Sequence, residues 1–253
     1  MATKRRRILS GCPSRPRWTT FLADHFAYAK LSVVTLMAVS EAAERLGVST
    51  RQVQHLVAGG ELRSLARGVV DAAGVERLLT VRGDSHTRAW SEQTAWGAVS
   101  LLSGGDAEWM GETQRSRLRA RLRPVTSAEL VARARQRAEV TRYRAHSSAS
   151  QYLLGVLVHA TEAAGRLGLA KTDAIDGYLS SGDVASVVRT HGLIRDDEGR
   201  VTLRATTMDL GIVRDLANRG VVLAALDLAE SLDVRERRAG RDALERALDG
   251  CRG

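Results

Sequence analysis

The chain has 253 residues, a formal net charge of +9, and 44% hydrophobic but only 4% aromatic residues. That length suits one large domain or two modest ones, and cores so poor in rings must rest on Leu, Val and Ala, which favours helices. Cys12 and Cys251 stand alone near opposite ends, without a disulfide framework or a zinc motif, and no stretch nears the roughly 20 apolar residues of a membrane span. A cytoplasmic protein with no membrane partner is expected.

Residues 1–36 form the first segment. A Lys4–Arg7 cluster precedes Pro13 and Pro16, and Asp24, His25 and Lys30 interrupt the apolar run that a secretory signal would need. The segment carries +6, and a second block, residues 115–144, carries +8 from ten arginines against Glu129 and Glu139. Two concentrated basic blocks attract a polyanion better than evenly spread charge, although a charge run is also an ordinary solvated face. The first segment is read as a disordered extension, either a basic arm beside DNA or sequence upstream of a natural start at Met37.

Residues 37–83 carry the most specific pattern. Ser40 is positioned to cap a helix from Glu41, with Ala42, Ala43 and Leu46 on its inner face, and Gly47 permits the left-handed backbone that ends it. Val48 fills the corner. Ser49 and Gln52 have capping-box spacing for a second helix, which turns Val53, Leu56 and Val57 inward and Thr50, Arg51, Gln52, Gln54 and His55 toward solvent before Gly59-Gly60 stops it. Leu62–Val70 is a short apolar and basic run with Gly68 near its tip, and Asp71 can cap a helix carrying Val75, Leu78 and Leu79. A polar second helix of this kind enters a DNA major groove, where Arg and Gln make paired bonds to base edges; a structural helical hairpin is the bland alternative.

The run AAERLGVSTRQVQHLVAGGEL, residues 42–62, resembles the MerR and excisionase class of winged helix-turn-helix domains. The resemblance implies that Ser49, Thr50, Arg51, Gln52 and His55 face bases or phosphates, and that Arg63 and Arg67 reach the DNA backbone from the wing. The wing here has no aromatic residue just before its closing helix, where that class usually has one.

Residues 84–148 read as an Arg-rich helical region. One helix carries Trp90, Ala95 and Val99 to Ser103; another runs through Leu118 and Leu122 to Pro124. Thr126 and Glu129 form a capping box for a third, expected to continue through Leu130, Val131, Ala134 and Ala138 to about Tyr143. Its arginines cannot share one narrow stripe, so some are expected in solvent and others on a partner: DNA phosphate, an acidic protein or a second copy of the chain.

Residues 149–253 change character toward an α+β domain. Ala174–Leu179 reads as a strand, Val184–Val188 as a helix capped by Asp183, Val201–Ala205 as an alternating strand, Val221–Ala229 as an apolar helix, and Asp233 opens a last amphipathic helix. The fold class expected is mainly α with a smaller α+β C-terminal part. The segments RTHGLIRDDEGRVTLRAT (189–206) and VVLAALDLAESLDVRERRAGRDALERAL (221–248) are similar to the antitoxins of the AbiEi type, of type IV toxin–antitoxin systems. That resemblance implies an autoregulatory DNA-binding protein beside a toxin encoded nearby.

Signals for chemistry are few. The six histidines lack metal-ligand spacing, and no Gly-rich loop has a phosphate-cradling pattern. Asp196-Asp197-Glu198 reads as a solvated hairpin turn, and Asp227 with Glu230 as helix-surface or capping groups. No enzyme, metal or cofactor is therefore expected. The expected function is a sequence-specific transcriptional regulator with double-stranded DNA as partner, acting as a homodimer, with a toxin-neutralising interaction module or an excisionase-like architectural factor as alternatives.

Overall fold

The computed structural model describes residues 35–82, 87–168 and 173–252. The basic extension lies outside the described residues except for Thr35 and Leu36. The described chain is mainly helical with a smaller mixed α and β part.

Strand β1 (Leu36–Ala38) leads directly into helix α1 (Val39–Leu46). The helix therefore starts two residues earlier than expected, and Ser40 is exposed in its first turn instead of capping it. The reason lies in the tertiary contacts. Ala38 pairs with Val69 across the sheet, and the Val39 N–H donates to the Gly68 carbonyl at 2.9 Å, so the turn at Gly68 satisfies a helix-end donor that a side chain would otherwise take. Gly47 adopts φ +64° and ends α1, a conformation that costs most residues a steric clash.

Helix α2 (Thr50–Ala58) follows after a three-residue corner. Strands β2 (Ser64–Ala66) and β3 (Val69–Asp71) turn at Arg67-Gly68, and α3 (Ala72–Arg82) closes the unit. The three strands order as β1-β3-β2, all antiparallel. Met37, Ala42, Ala43, Val53, Leu56, Leu62, Val70 and Val75 bury together as a core belonging to this unit alone.

Helices α4 (Glu92–Leu102), α5 (Glu112–Leu122) and α6 (Ser127–Ala134) come next. The Thr126–Glu129 capping box forms as the spacing predicts. The helix does not reach Tyr143, however. A 3-10 turn at Arg135–Arg137 breaks it, and strand β4 (Glu139–Arg144) follows, correcting the expectation of a helical region throughout 84–148. The segment EVTRYR is rich in β-branched and aromatic side chains that suit a pleated surface, and Arg137 is drawn into the interior just before it.

Helices α7 (Ala149–Val156) and α8 (Thr161–Arg166) precede strand β5 (Ile175–Ser180) and helix α9 (Val184–Thr190). Strands β6 (Ile194–Arg195) and β7 (Val201–Thr206) and helices α10 (Leu210–Arg219), α11 (Val222–Ala229) and α12 (Val234–Arg252) complete the chain. The second sheet orders as β5-β7-β4-β6, with β5 parallel to β7 and β4 antiparallel to both its neighbours.

The two faces of this sheet differ. One is apolar: Tyr143, Ile175, Leu179, Val201 and Leu203 pack on Leu153 of α7 and Val187 of α9. The other presents Asp176, Tyr178, Thr202, Arg204 and Thr206, and α11 covers part of it. On its other side α11 packs with the neighbouring helices, burying Trp96, Leu118, Leu130, Leu223, Leu226 and Leu244 in the largest core.

Candidate nucleic-acid interface

Helix α2 is held by its inner side chains and by its start. Val53 and Leu56 are buried, and the Ser49 hydroxyl accepts the Gln52 N–H at 3.2 Å. A hydroxyl here satisfies one of the first-turn donors and stabilises the helix by about 1 kcal/mol. Thr50, Arg51, Gln52, Gln54 and His55 are all exposed, together with Ser49. Among the described residues, none of those five side chains is committed to a hydrogen bond or ion pair. They face solvent along about one and a half turns of the helix.

Just past the end of α2, the chain meets the second sheet. Arg195 donates from Nη2 to the Gly60 carbonyl at 3.1 Å. Arg77 of α3 binds Asp197 through the carboxylate at 3.0 Å and the carbonyl at 3.2 Å. The Asp196–Glu198 turn is therefore not solvated as expected: Asp196 and Asp197 are both buried, because the turn docks on α3. Burial, and then the neighbouring Asp197 carboxyl, raise the pKa of Asp71 to about 6.

Of the two wing arginines, Arg67 is exposed at the β2–β3 turn and Arg63 is half-buried before β2. In the second basic block, Arg117, Arg119, Arg121 and Arg123 are exposed on and just after α5, as a solvated face would be. Arg137 is not: it is fully buried.

Arg137 belongs to a charge network that the sequence did not reveal. Its Nη1 donates to Glu230 Oε1 at 2.5 Å, its Nη2 to Asp227 Oδ1 at 2.7 Å, and its Nε to the Tyr178 hydroxyl at 2.9 Å. Arg204 grips Asp176 with two bonds, at 2.7 and 2.9 Å, and donates to Glu230 Oε2 at 2.7 Å. The Tyr178 hydroxyl donates to Asp227, and Trp96 meets the Tyr178 ring edge-on at 5.3 Å.

Asp227 and Glu230 are thus interior groups, not the helix-surface or capping groups expected. Their spacing of three on α11 points both at the sheet. Burial raises the Asp227 pKa despite the opposing Arg204 and Arg137. For Glu230 burial pulls upward too, but Arg137 and Arg204 outweigh it and hold the carboxyl below its ordinary range. Every carboxylate of the network is bonded to a guanidinium, and the cluster ties α11 to the second sheet. Among the described residues, no group of three or more His, Cys, Asp or Glu side chains is arranged to hold a metal ion, and no helix is long and apolar enough to cross a membrane.

No family model matches the chain, and neither a curated protein nor a solved structure does.

Proposed function

We propose that the chain is a sequence-specific DNA-binding transcriptional regulator, with residues 37–83 as a winged helix-turn-helix reading head. The carrying observation is the outer face of α2, where five adjacent polar side chains are exposed and uncommitted while Val53 and Leu56 anchor the helix from behind. Rigid backbone with unspent donors and acceptors is what base recognition requires. Arg51 and Gln52 read base edges, Thr50, His55 and Ser49 share base and phosphate contacts with Gln54, and Arg63 and Arg67 hold the backbone from the wing. A dimer would place two such helices about 34 Å apart, on successive turns of the groove, and exclude polymerase from a promoter.

The test is binding to the chain's own upstream DNA and to random DNA of equal length. Arg51→Ala reduces the preference for the upstream site by a factor worth about 1–3 kcal/mol, and Arg67→Ala weakens both complexes alike. Equal losses on both DNAs from Arg51→Ala would remove base readout from the proposal.

A second reading, that the C-terminal part also neutralises a cognate toxin, is favoured by one observation. Tyr152, Leu154 and Val156 of α7 and Ile194 of β6 are large apolar side chains left exposed, and Tyr152 stacks on His191 at 6.1 Å. Co-purification with the product of an adjacent gene, lost on Tyr152→Ser with Ile194→Ser, would support it.

A further inference from the structure

Between the reading head and the polar face of the second sheet lies a cleft of about 870 Å³. Gly59, Gly60, Gly74 and Arg77 line it from one side, and Arg142, Thr202 and Asp176 from the other. That volume falls in the range that holds a small organic molecule. The three floor residues form one row across the strands: Thr202 of β7 pairs with Arg142 of β4 on one side and with Asp176 of β5 on the other.

Two members of the row have bonding capacity left. Asp176 is taken by Arg204. Neither the Arg142 guanidinium nor the Thr202 hydroxyl is committed to a hydrogen bond or ion pair among the described residues, although Thr202 is buried and Arg142 largely so. Burial, and then the like charge of Arg77, lower the pKa of Arg142 from its ordinary value. Arg142 lies among two cations, Arg77 and Arg204, and two carboxylates, Asp176 and Asp197, but Arg204 grips Asp176 and Arg77 binds Asp197, so the Arg142 donors and the hydroxyl beside them stay unspent and can bond an oxyanion.

We propose that this cleft is an effector site for a small molecule carrying a carboxylate or phosphate, held by Arg142 and Thr202, whose binding lowers affinity for DNA. The coupling half rests on the DNA-binding reading; the binding half does not. The coupling follows from what spans the cleft. Arg77 clasps Asp197, and Arg195 holds the chain at Gly60, two residues past the end of α2. An oxyanion on Arg142 attracts Arg77 as well and competes with Asp197 for it. The clasp loosens, and the reading head loses the fixed orientation that a two-site operator requires.

Titration of the full chain with inorganic phosphate, succinate and AMP, followed by thermal shift and equilibrium dialysis, tests this. At least one probe is expected to bind saturably. Arg142→Gln should weaken that binding roughly 10–100-fold and Thr202→Val by a smaller factor, with both variants melting cooperatively. Arg51→Ala, impaired on DNA, should bind the probe as the parent does, so that a failed operator assay leaves the site itself still measured. The parent's operator affinity should fall about fivefold or more at saturating probe. Absence of saturable binding by all three probes, or binding unchanged by both cleft variants, overturns the site. Operator affinity that holds or rises with the cleft filled overturns the coupling.

Discussion

Arg51 and Arg137 belong to the same residue type, and each lies in a polar, arginine-bearing stretch of sequence. Arg51 stands in solvent with its guanidinium uncommitted, whereas Arg137 is buried and spends its donors on Glu230, Asp227 and Tyr178. The first stabilises nothing in the fold and is available to a ligand; the second is part of the fold and is available to nothing. What separates them is the partner each finds across the chain, and burial follows from that partner. A charged side chain therefore reports function where its bonding capacity is left over, not where charge is densest.

Stability measurements on the two sides sharpen this contrast. Arg137→Ala takes from Asp227 and Glu230 one of the two guanidinium groups around them, leaving Arg204 alone, and should cost roughly 3–5 kcal/mol in urea unfolding. A cost under about 1 kcal/mol would mean that water replaces the guanidinium and that the network is looser than its distances indicate. On the exposed side, Ser49→Ala removes the hydroxyl from the start of α2 and should cost about 1 kcal/mol, with a matching loss of DNA affinity if a preformed rod is what binds.

Asp71→Asn probes the seam between the regions. A carboxyl that holds its proton more tightly in the folded chain than in the unfolded one makes stability fall as pH rises from its unfolded value, near 4, through about 6. The amide keeps an acceptor for the Ala73 N–H and carries no charge. The variant should melt above the parent at pH 7.5 and converge with it toward pH 4; parallel curves would show that the seam does not feel this proton. Arg51→Ala should change the melting free energy by no more than about 0.5 kcal/mol, and a larger loss would place Arg51 inside the fold's own bonding.

The head of the molecule was legible because its determinants are local. Ser49, Gly47 and the Val53–Leu56 spacing all act within a few residues, so α2 and its exposed face could be read directly. Ser40 does not cap α1 because the competing partner, the Gly68 carbonyl, arrives from the β2–β3 turn. The same applies to the 139–144 strand, which follows a well-capped helix in sequence and becomes a strand only because β6 and β7 come to either side of it. The buried network was the least legible. Asp176, Arg204 and the Asp227–Glu230 pair lie on three separate elements, and nothing in the spacing of any one element foretells their meeting. Alternation in β7 did carry a trace of it. Thr202, Arg204 and Thr206 recur on one face opposite Val201, Leu203 and Ala205, although all but Ala205 are buried.

The central strand pairing joins β4 to β7 across more than fifty intervening residues, while the core of the N-terminal unit closes within residues 37–75. Contacts near in sequence form sooner than distant ones. During refolding the head should acquire its shape early and wait for the sheet, and the Arg77–Asp197 clasp should form last, as the step that joins a finished head to a late-assembling body.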